Sequence, residues 1–186
     1  RHRDWAERRA GELSLQSPQA AQRQPTEVTL AAYGQSWSIA YEHGSRSAFV
    51  ESEEPVLRVR TTGGTDRQVG LTLLRWLSRK ATSHLGERLD ELAGETGLDY
   101  SKLLLRRQRT RWGSCSSAGT ISLNVCLMFQ RPEVVRYLMI HELCHRRHMN
   151  HSKRYWSLVA SLEPGWKPLD VELLQGWRHV PAWVFP

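Results

Sequence analysis

The sequence predicts an α+β fold in which amphipathic helices pack beside a mainly antiparallel sheet. Over residues 68–97, leucine and alanine recur at three- and four-residue spacing, which is the period of a helix with one buried face. Over residues 28–60 and 102–127, short apolar stretches are separated by turn residues, which is typical of strands. We therefore expect a small domain in which a histidine-bearing helix near residue 140 packs against strands, preceded by a β-rich segment.

The first 66 residues are predicted to form a helix, a linker and a β-rich segment. Residues 1–13 have helical character, and the polar stretch 14–27 contains two prolines, which favours a linker. Alternation around Gly34-Gln35 predicts a hairpin over 28–42, and the stretches SAFVE and PVLRVR predict two more strands. The predicted boundaries are 1–27 for the helix and linker, 28–66 for the β-rich segment and 67–186 for the main domain.

The main domain is predicted to alternate between helices and strands. The long helix over 68–97 should end at Gly97, because glycine readily adopts the left-handed conformation found after helix C-termini. The turn sequence SSAG, residues 116–119, divides 102–127 into separate strands. Three further helices are expected: one that begins near Pro132, one that is ended by Pro164-Gly165, and one from Pro168 to about Trp177.

Basic residues are concentrated in one part of the 186-residue chain. The formal net charge is +7, and residues 101–160 hold eleven basic and two acidic side chains. Such a field favours an anionic partner or substrate, and a solvated basic surface is the alternative. No apolar run approaches the roughly 20 residues that cross a bilayer, and the first residues lack the apolar core of a signal peptide. We therefore expect no membrane partner and, with only three cysteines, a cytoplasmic location.

The stretch HELCH, residues 141–145, has the spacing of a hydrolytic metal site. On a helix, each residue turns by roughly 100° and rises by roughly 1.5 Å, so His141 and His145 lie on one face, one turn apart. Both imidazoles can then bind one ion. Glu142 is rotated away from them and lies beside the ion, where it can deprotonate a bound water. This is the H-E-x-x-H motif of zinc hydrolases, and it predicts one Zn²⁺ ion with Glu142 as the catalytic base.

The third protein ligand has more than one candidate. On a straight helix, His148 would share the face of His141, but it would lie about 10 Å along the axis, too far for one ion to bind both. His151 follows Met149-Asn150, where asparagine could end the first helix and cap the next. A turn at that point would bring His151 back to the ion, so we favour His151. Glu163 is the main rival, as in zinc sites with two histidines and a glutamate.

The three cysteines are weaker candidates for metal ligands. The Cys144 side chain points about 100° away from that of His145, so a buried free cysteine is the preferred interpretation. Cys115 and Cys126 flank a predicted turn and could pair in an oxidising setting. Their spacing does not form a zinc ribbon with Cys144.

The region from RTRWGSC to the second half of the histidine cluster resembles one family. The elements RWGSC, ISLN, HELCH and NHSKRYW occur in that order, and LLRWLSRKA and LLQGW are also similar. Together they resemble the YgjP-like family of predicted metal-dependent hydrolases, or metallopeptidases, which is similar to the SprT-like and WLM-type zinc peptidases. The resemblance covers nearly all of the chain from about residue 68.

The resemblance implies a small zincin-like α+β domain over 67–186 that is catalytic. It implies that His141, His145 and His151 bind zinc and that Glu142 is the general base. The spacing of the three histidines also matches the metzincin pattern. The chain departs from that pattern at His148, where metzincins carry glycine, and it has no obvious downstream Met-turn.

An arginine-rich hairpin before the HELCH helix supplies candidate substrate contacts. If residues 106–112 form a strand, Arg107, Arg109 and Arg111 share one face. In zincins, a strand near the metal often pairs with extended substrate, which is the general mode of strand addition at a sheet edge. Arg111 and Tyr155 are the candidates for stabilising an oxyanion. The alternative roles are structural, with Arg111 on a solvated strand and Tyr155 packed with Trp156.

Three functions are consistent with these features. The preferred one is a zinc metallopeptidase that acts on a peptide through a water activated by Glu142. The second is a metal-dependent hydrolase of an anionic phosphate or nucleotide substrate, because arginine binds phosphate oxygens in a bidentate manner. The third is a non-enzymatic nucleic-acid binder with a structural zinc. Structural sites usually fill all four positions with Cys or His, and the glutamate after His141 argues against that function.

Overall fold

The computed structural model describes residues 23–52 and 54–186. The helix predicted over 1–13 and most of the linker predicted over 14–27 lie outside the described residues. Within the described part, the chain forms two small sheets and four α-helices around a shared apolar core. The α+β class predicted from the sequence is confirmed.

The first sheet has four strands in the order β1-β2-β4-β3. β1 and β2 form the predicted antiparallel hairpin, and Gly34 closes its turn with a φ of 68°, a conformation that favours glycine. β2 pairs with β4 in parallel, and β3 pairs with β4 antiparallel. The strands are β1 (Glu27–Leu30), β2 (Gln35–His43), β3 (Ala48–Glu51) and β4 (Val56–Thr61).

The long helix α1 spans Asp66–Thr96 and is the central element of the fold. The Thr65 side chain caps its first turn by accepting a hydrogen bond from the Gln68 amide, and Gly97 ends it in the left-handed conformation. Its predicted apolar face is buried, including Leu73, Leu77, Leu85, Leu89 and Leu92. Burial of each leucine contributes roughly 1.5–3 kcal/mol to the stability of the fold. This burial holds the helix against the core, although its other faces are highly charged.

The second sheet has three strands, in the order β5-β7-β6, and lies beside the histidine-bearing helix. β7 pairs with β5 in parallel and with β6 antiparallel, and among the described strands three of the five pairs are antiparallel, as the prediction of a mainly antiparallel sheet requires. Gly119, with a φ of 82°, forms the predicted turn before β7. The strands are β5 (Lys102–Arg106), β6 (Gly113–Cys115) and β7 (Thr120–Asn124).

Residues 107–112 form a loop and do not continue β5, so the predicted alternation of arginines is wrong. The Asn124 side chain, at the end of β7, donates hydrogen bonds to the backbone carbonyls of Gln108 and Arg111 at 2.8 and 2.7 Å. It also accepts one from the Cys126 amide, so Asn124 caps the 3₁₀ turn that follows β7. Since these carbonyls are held by a side chain, they do not enter a strand ladder.

Three short helices follow the second sheet; the first of them packs against α1, and the other two pack against the first. The last begins at Trp166, two residues before the expected start at Pro168. Its end is followed by 3₁₀ turns that bring Trp183 and Pro186 against Gly70 of α1, where a Cβ would collide with them. None of the helices in residues 23–52 and 54–186 could span a membrane. The helices are α2 (Pro132–Cys144), α3 (Lys153–Leu162) and α4 (Trp166–Gln175).

Candidate metal centre

Helix α2 carries the HELCH motif in the interior of the protein. Pro132 occupies its first turn, where proline is well tolerated, and apolar residues bury most of its surface. At its C-terminal end, His141, Glu142 and His145 are only 9%, 4% and 9% exposed. Burial of three polar side chains so close together is unfavourable unless they have hydrogen-bond or metal partners. Such a cluster of buried titratable groups is typical of a functional site.

The chain reverses direction directly after the HELCH motif, as the choice of His151 required. The helix ends at Cys144 and His145 is its C-cap, so the bend begins earlier than the predicted position near Asn150. A turn follows, in which the amides of Arg147 and His148 both donate to the Cys144 carbonyl. The next helix, α3, is capped by Ser152, whose hydroxyl accepts from the Tyr155 amide, and not by Asn150.

This reversal brings three histidines together. The candidate ligand nitrogens of His141, His145 and His151 all lie within 4.8 Å of one another. The Nε2 atoms of His141 and His151 are 3.2 Å apart. Two nitrogens bound to one tetrahedral zinc at about 2.0–2.1 Å would be separated by about 3.3 Å. The spacing of these residues therefore fits a single ion of that size.

The rivals for the third ligand lie elsewhere. The His148 backbone carbonyl, and not its ring, lies near the cluster and is 3.0 Å from Nδ1 of His145. Glu163 forms an ion pair with Arg136 at 3.3 Å, away from the histidines. The Cys144 thiol is buried, and burial raises its pKa to about 12, which disfavours the thiolate that a metal would bind.

The two histidines on α2 are held in the neutral form that can bind a metal. Burial lowers the pKa of His141 well below its usual value, and the neighbouring His145 and His151 lower it further. Burial also lowers the pKa of His145, although the hydrogen bond with the His148 carbonyl opposes that effect. Neutral imidazole offers a nitrogen lone pair, so the cluster is suited to bind a cation.

Glu142 lies in a confined space between α2 and β6. Burial raises the pKa of its carboxyl to about 8, and the positive charge of Arg111 partly opposes the increase. A Cβ built on Gly113 of β6 would lie 2.6 Å from Oε1 of Glu142, so only glycine leaves room for the carboxyl group. Desolvation and close packing thus produce a basic carboxylate with a restricted position next to the histidines.

Comparison with known proteins agrees with this geometry. The family model described as YgjP-like, metallopeptidase domain, matches residues 1–175. The chain belongs to the YgjP-like family. This confirms the resemblance found in the sequence, and it makes the chain a metal-dependent hydrolase of the metallopeptidase class. The relation to SprT-like and WLM-type peptidases stays a prediction.

The YgjP-like chain also has similarity to solved structures, and it matches no curated protein. The crystal structure of the metallopeptidase zymogen of Pyrococcus abyssi abylysin is 21% identical, with a TM-score of 0.46, and the match covers 53% of this chain and 99% of that one. The metallopeptidase zymogen of Methanocaldococcus jannaschii jannalysin is 16% identical, with a TM-score of 0.43, covering 49% and 94%.

The two candidate oxyanion residues of this YgjP-like chain have different surroundings. Arg111 is exposed, and its charge acts on Glu142, so it stays a candidate for contact with substrate. Tyr155 is fully buried, and its hydroxyl donates to the His141 backbone carbonyl at 2.9 Å. That proton is therefore used within the protein, and the structural role considered for Tyr155 fits better than an oxyanion role. Its ring stacks on His145 and packs beside Trp156.

Several residues around the YgjP-like site were not identified from the sequence. Gly113 lies in the quoted RWGSC element, but only the structure shows its contact with Glu142. Tyr137 lies one helical turn before His141, and this spacing was an available signal. Asp170 and the stacked Trp156–Trp166 pair come from α3 and α4, and no local pattern links them to the motif.

Proposed function

We propose that this YgjP-like chain is a zinc metallopeptidase in which His141, His145 and His151 bind one ion and Glu142 is the general base. The observation that supports this most strongly is the convergence of three histidine nitrogens within 4.8 Å beside a buried carboxyl group. Three protein ligands leave a fourth position for water or substrate, which distinguishes catalytic from structural zinc sites. When bound, zinc would polarise the scissile carbonyl and acidify a coordinated water.

Glu142 is suited to move a proton during peptide hydrolysis. It would take a proton from the attacking water and pass it to the leaving amine. A carboxyl pKa raised by burial strengthens Glu142 as a base, and a nearby dication would lower that pKa again, so that the group is ionised near neutral pH. The absence of a side chain at Gly113 leaves the space that the Glu142 carboxyl group occupies.

Strand β6 provides a place for an extended peptide. It is the terminal strand of its sheet and pairs with β7 through one edge. It also packs against α2, and its Gly113 touches the base, so a peptide added along this strand would pass the histidine cluster. This arrangement favours a peptide substrate for the hydrolase.

The alternative functions have less support in the structure. Arg107 donates to the Val184 carbonyl, and the Arg109 guanidinium lies 4.6 Å from the centre of the Phe185 ring. These two arginines thus contact Val184 and Phe185, which gives them a role within the protein. In a non-enzymatic zinc protein, a buried Glu142 with a raised pKa beside the histidines would have no role.

We also propose that residues 67–186 form the catalytic domain and that the protein is cytoplasmic. Every residue assigned to the site lies within 67–186, which is the predicted catalytic domain, while the β-rich segment packs against α1. The protein is expected in the cytoplasm, since Cys126 and Cys144 are buried as free thiols and three cysteines do not form a disulfide framework.

A matched pair of glutamate substitutions tests the proposed function. Glu142→Gln should keep a bound zinc while hydrolysis of casein and short peptides falls by at least about 100-fold, the lower range for loss of a general base. Glu133→Gln on the same helix, where the side chain is exposed and paired with Arg131, is the control and should leave both properties unchanged. Nucleoside triphosphates are assayed in parallel. Peptide turnover that survives in Glu142→Gln contradicts the proposal.

A further inference from the structure

Tyr137 contacts His141 at Nδ1, and not at the ring nitrogen that lies nearest to His151. It lies one turn earlier on α2, and its Oη is 3.5 Å from Nδ1 of His141. The two rings are nearly perpendicular, with centroids 6.0 Å apart. Tyr137 is only 1% exposed, so this contact is formed in the interior of the protein.

Asp170 of α4 determines the direction of the hydrogen bonds. Its Oδ1 accepts the Tyr137 hydroxyl proton at 2.9 Å. A phenol has a single proton, and Tyr137 donates it to Asp170, so the Tyr137 oxygen faces His141 as an acceptor. Nδ1 of His141 must then carry a proton in order to donate to it. Helix α4 packs against α2, which keeps Asp170 in place.

This order of donors leaves Nε2 of His141 without a proton. Nε2 is the atom that lies 3.2 Å from Nε2 of His151, at the centre of the cluster. His145 has a parallel arrangement, in which its Nδ1 lies 3.0 Å from the His148 carbonyl. Both histidines of α2 are thus held through Nδ1 and direct Nε2 towards the same point.

We propose that Asp170 and Tyr137 are positioning residues that hold His141 in the Nδ1-protonated tautomer required for metal binding. The proposal rests on the function proposed above, in which His141 is a ligand. Asp170 acts through Tyr137, because its carboxyl group accepts from the Tyr137 hydroxyl and that hydroxyl contacts Nδ1 of His141. Loss of such outer partners typically weakens metal affinity about 10–100-fold.

Zinc affinity of four variants tests this order of action. The dissociation constant is measured in the full chain by competition with a chromogenic chelator. Tyr137→Phe and Asp170→Ala should each weaken zinc binding about 10–100-fold. Because Asp170 acts through Tyr137, the double variant should match Tyr137→Phe within about twofold. Asp170→Asn keeps an acceptor oxygen and should recover most of the affinity.

A second tyrosine–aspartate pair supplies the matched control. Tyr100 donates to Asp90 far along the chain from the histidines, so Tyr100→Phe should not change the zinc affinity. A loss of zinc affinity in Tyr100→Phe equal to that in Tyr137→Phe would assign the effect to general destabilisation and overturn the proposal. So would unchanged affinity in Tyr137→Phe, or additive effects of the two substitutions.

The tautomer of His141 can be measured without any substitution. Long-range proton–nitrogen NMR correlations on the metal-free protein should show a proton on Nδ1 of His141, and a proton on Nε2 instead would overturn the proposal. His141→Ala distinguishes a failure of the ligand assignment from a failure of the role proposed for Tyr137 and Asp170. If His141→Ala keeps full zinc affinity, the ligand assignment itself fails. If it loses zinc while Tyr137→Phe does not, only the role of Tyr137 and Asp170 fails.

Discussion

The Nε2 atoms of His141 and His151 lie 3.2 Å apart, although ten residues and a reversal of the chain separate the two histidines. His141 is fixed by the buried end of α2, and His151 lies just before the Ser152 cap of α3. The short turn between the helices therefore determines the geometry of the site. It also explains why a chain with four nearby histidines has three that converge.

The first prediction concerns the third ligand. His151→Ala should weaken zinc binding by at least about 100-fold, because it removes one of three nitrogen donors from a buried site. His148→Ala should keep the affinity within a few-fold, because His148 contributes its backbone carbonyl, which alanine retains. Isothermal titration with zinc compares the two variants. If His148→Ala lost the metal and His151→Ala kept it, the assignment would be reversed.

The second prediction concerns Gly113. An added methyl group would collide with Oε1 of Glu142, so Gly113→Ala should displace the carboxyl group and reduce peptide hydrolysis by about 10–1,000-fold. Zinc should still bind, because no histidine contact is removed. Gly94→Ala in α1 is the control, since nothing lies within 4 Å of its Cβ position. That variant should retain activity and gain about 0.5–1 kcal/mol in free energy of unfolding. Equal activity of the two variants would contradict the contact.

The third prediction concerns the pH dependence of stability in the metal-free protein. The pKa of Glu142 is about 8 when folded and 4.5 ordinarily, so the folded state retains a proton that the unfolded state releases between these values. The free energy of unfolding should therefore fall as pH rises through this window. Glu142→Gln cannot titrate there, so its stability relative to wild type should increase from pH 5 to pH 8 by about 1–3 kcal/mol.

Urea unfolding in the presence of a chelator measures this difference. Both proteins contain the same histidines, so the comparison isolates the carboxyl group. A stability difference that stays constant from pH 5 to pH 8 would show that Glu142 does not have the raised pKa.

The fourth prediction concerns Asn124, which holds the arginine-rich loop 107–112. Asn124→Asp keeps the oxygen that caps the turn at Cys126 but loses the donors to Gln108 and Arg111. Hydrogen exchange should therefore increase in residues 107–112, and stability should fall by about 1–3 kcal/mol because two part-buried hydrogen bonds are lost. Asn124→Ala should lose the cap as well and be less stable. Unchanged exchange in the loop of Asn124→Asp would contradict this role.

Features that depend on local periodicity were predictable from the sequence. The leucine spacing of α1, the glycines of the turns and the HELCH spacing all act within a few residues, and the structure has each of them. The choice of His151 over His148 followed from the helical rise and from a turn expected near Asn150, and the convergence of three histidines agrees with it. Whether His151 binds the ion stays a prediction.

Features that depend on contacts between distant residues were not predictable. The sequence of residues 107–112 predicts a strand, but the Asn124 side chain, more than ten residues away, holds two of their backbone carbonyls in a loop. The parallel pairing of β5 with β7 likewise requires knowledge of the tertiary arrangement. The position of Asp170 beside Tyr137 depends on how α4 packs against α2.

Anomalous diffraction at the zinc absorption edge, on crystals of the zinc-loaded protein, tests the central claim most directly. The account predicts one strong peak within about 2.0–2.1 Å of Nε2 of His141, His145 and His151, next to the Glu142 carboxyl group. A peak bound instead by His148 or Glu163, or no peak among the three histidines, would contradict it.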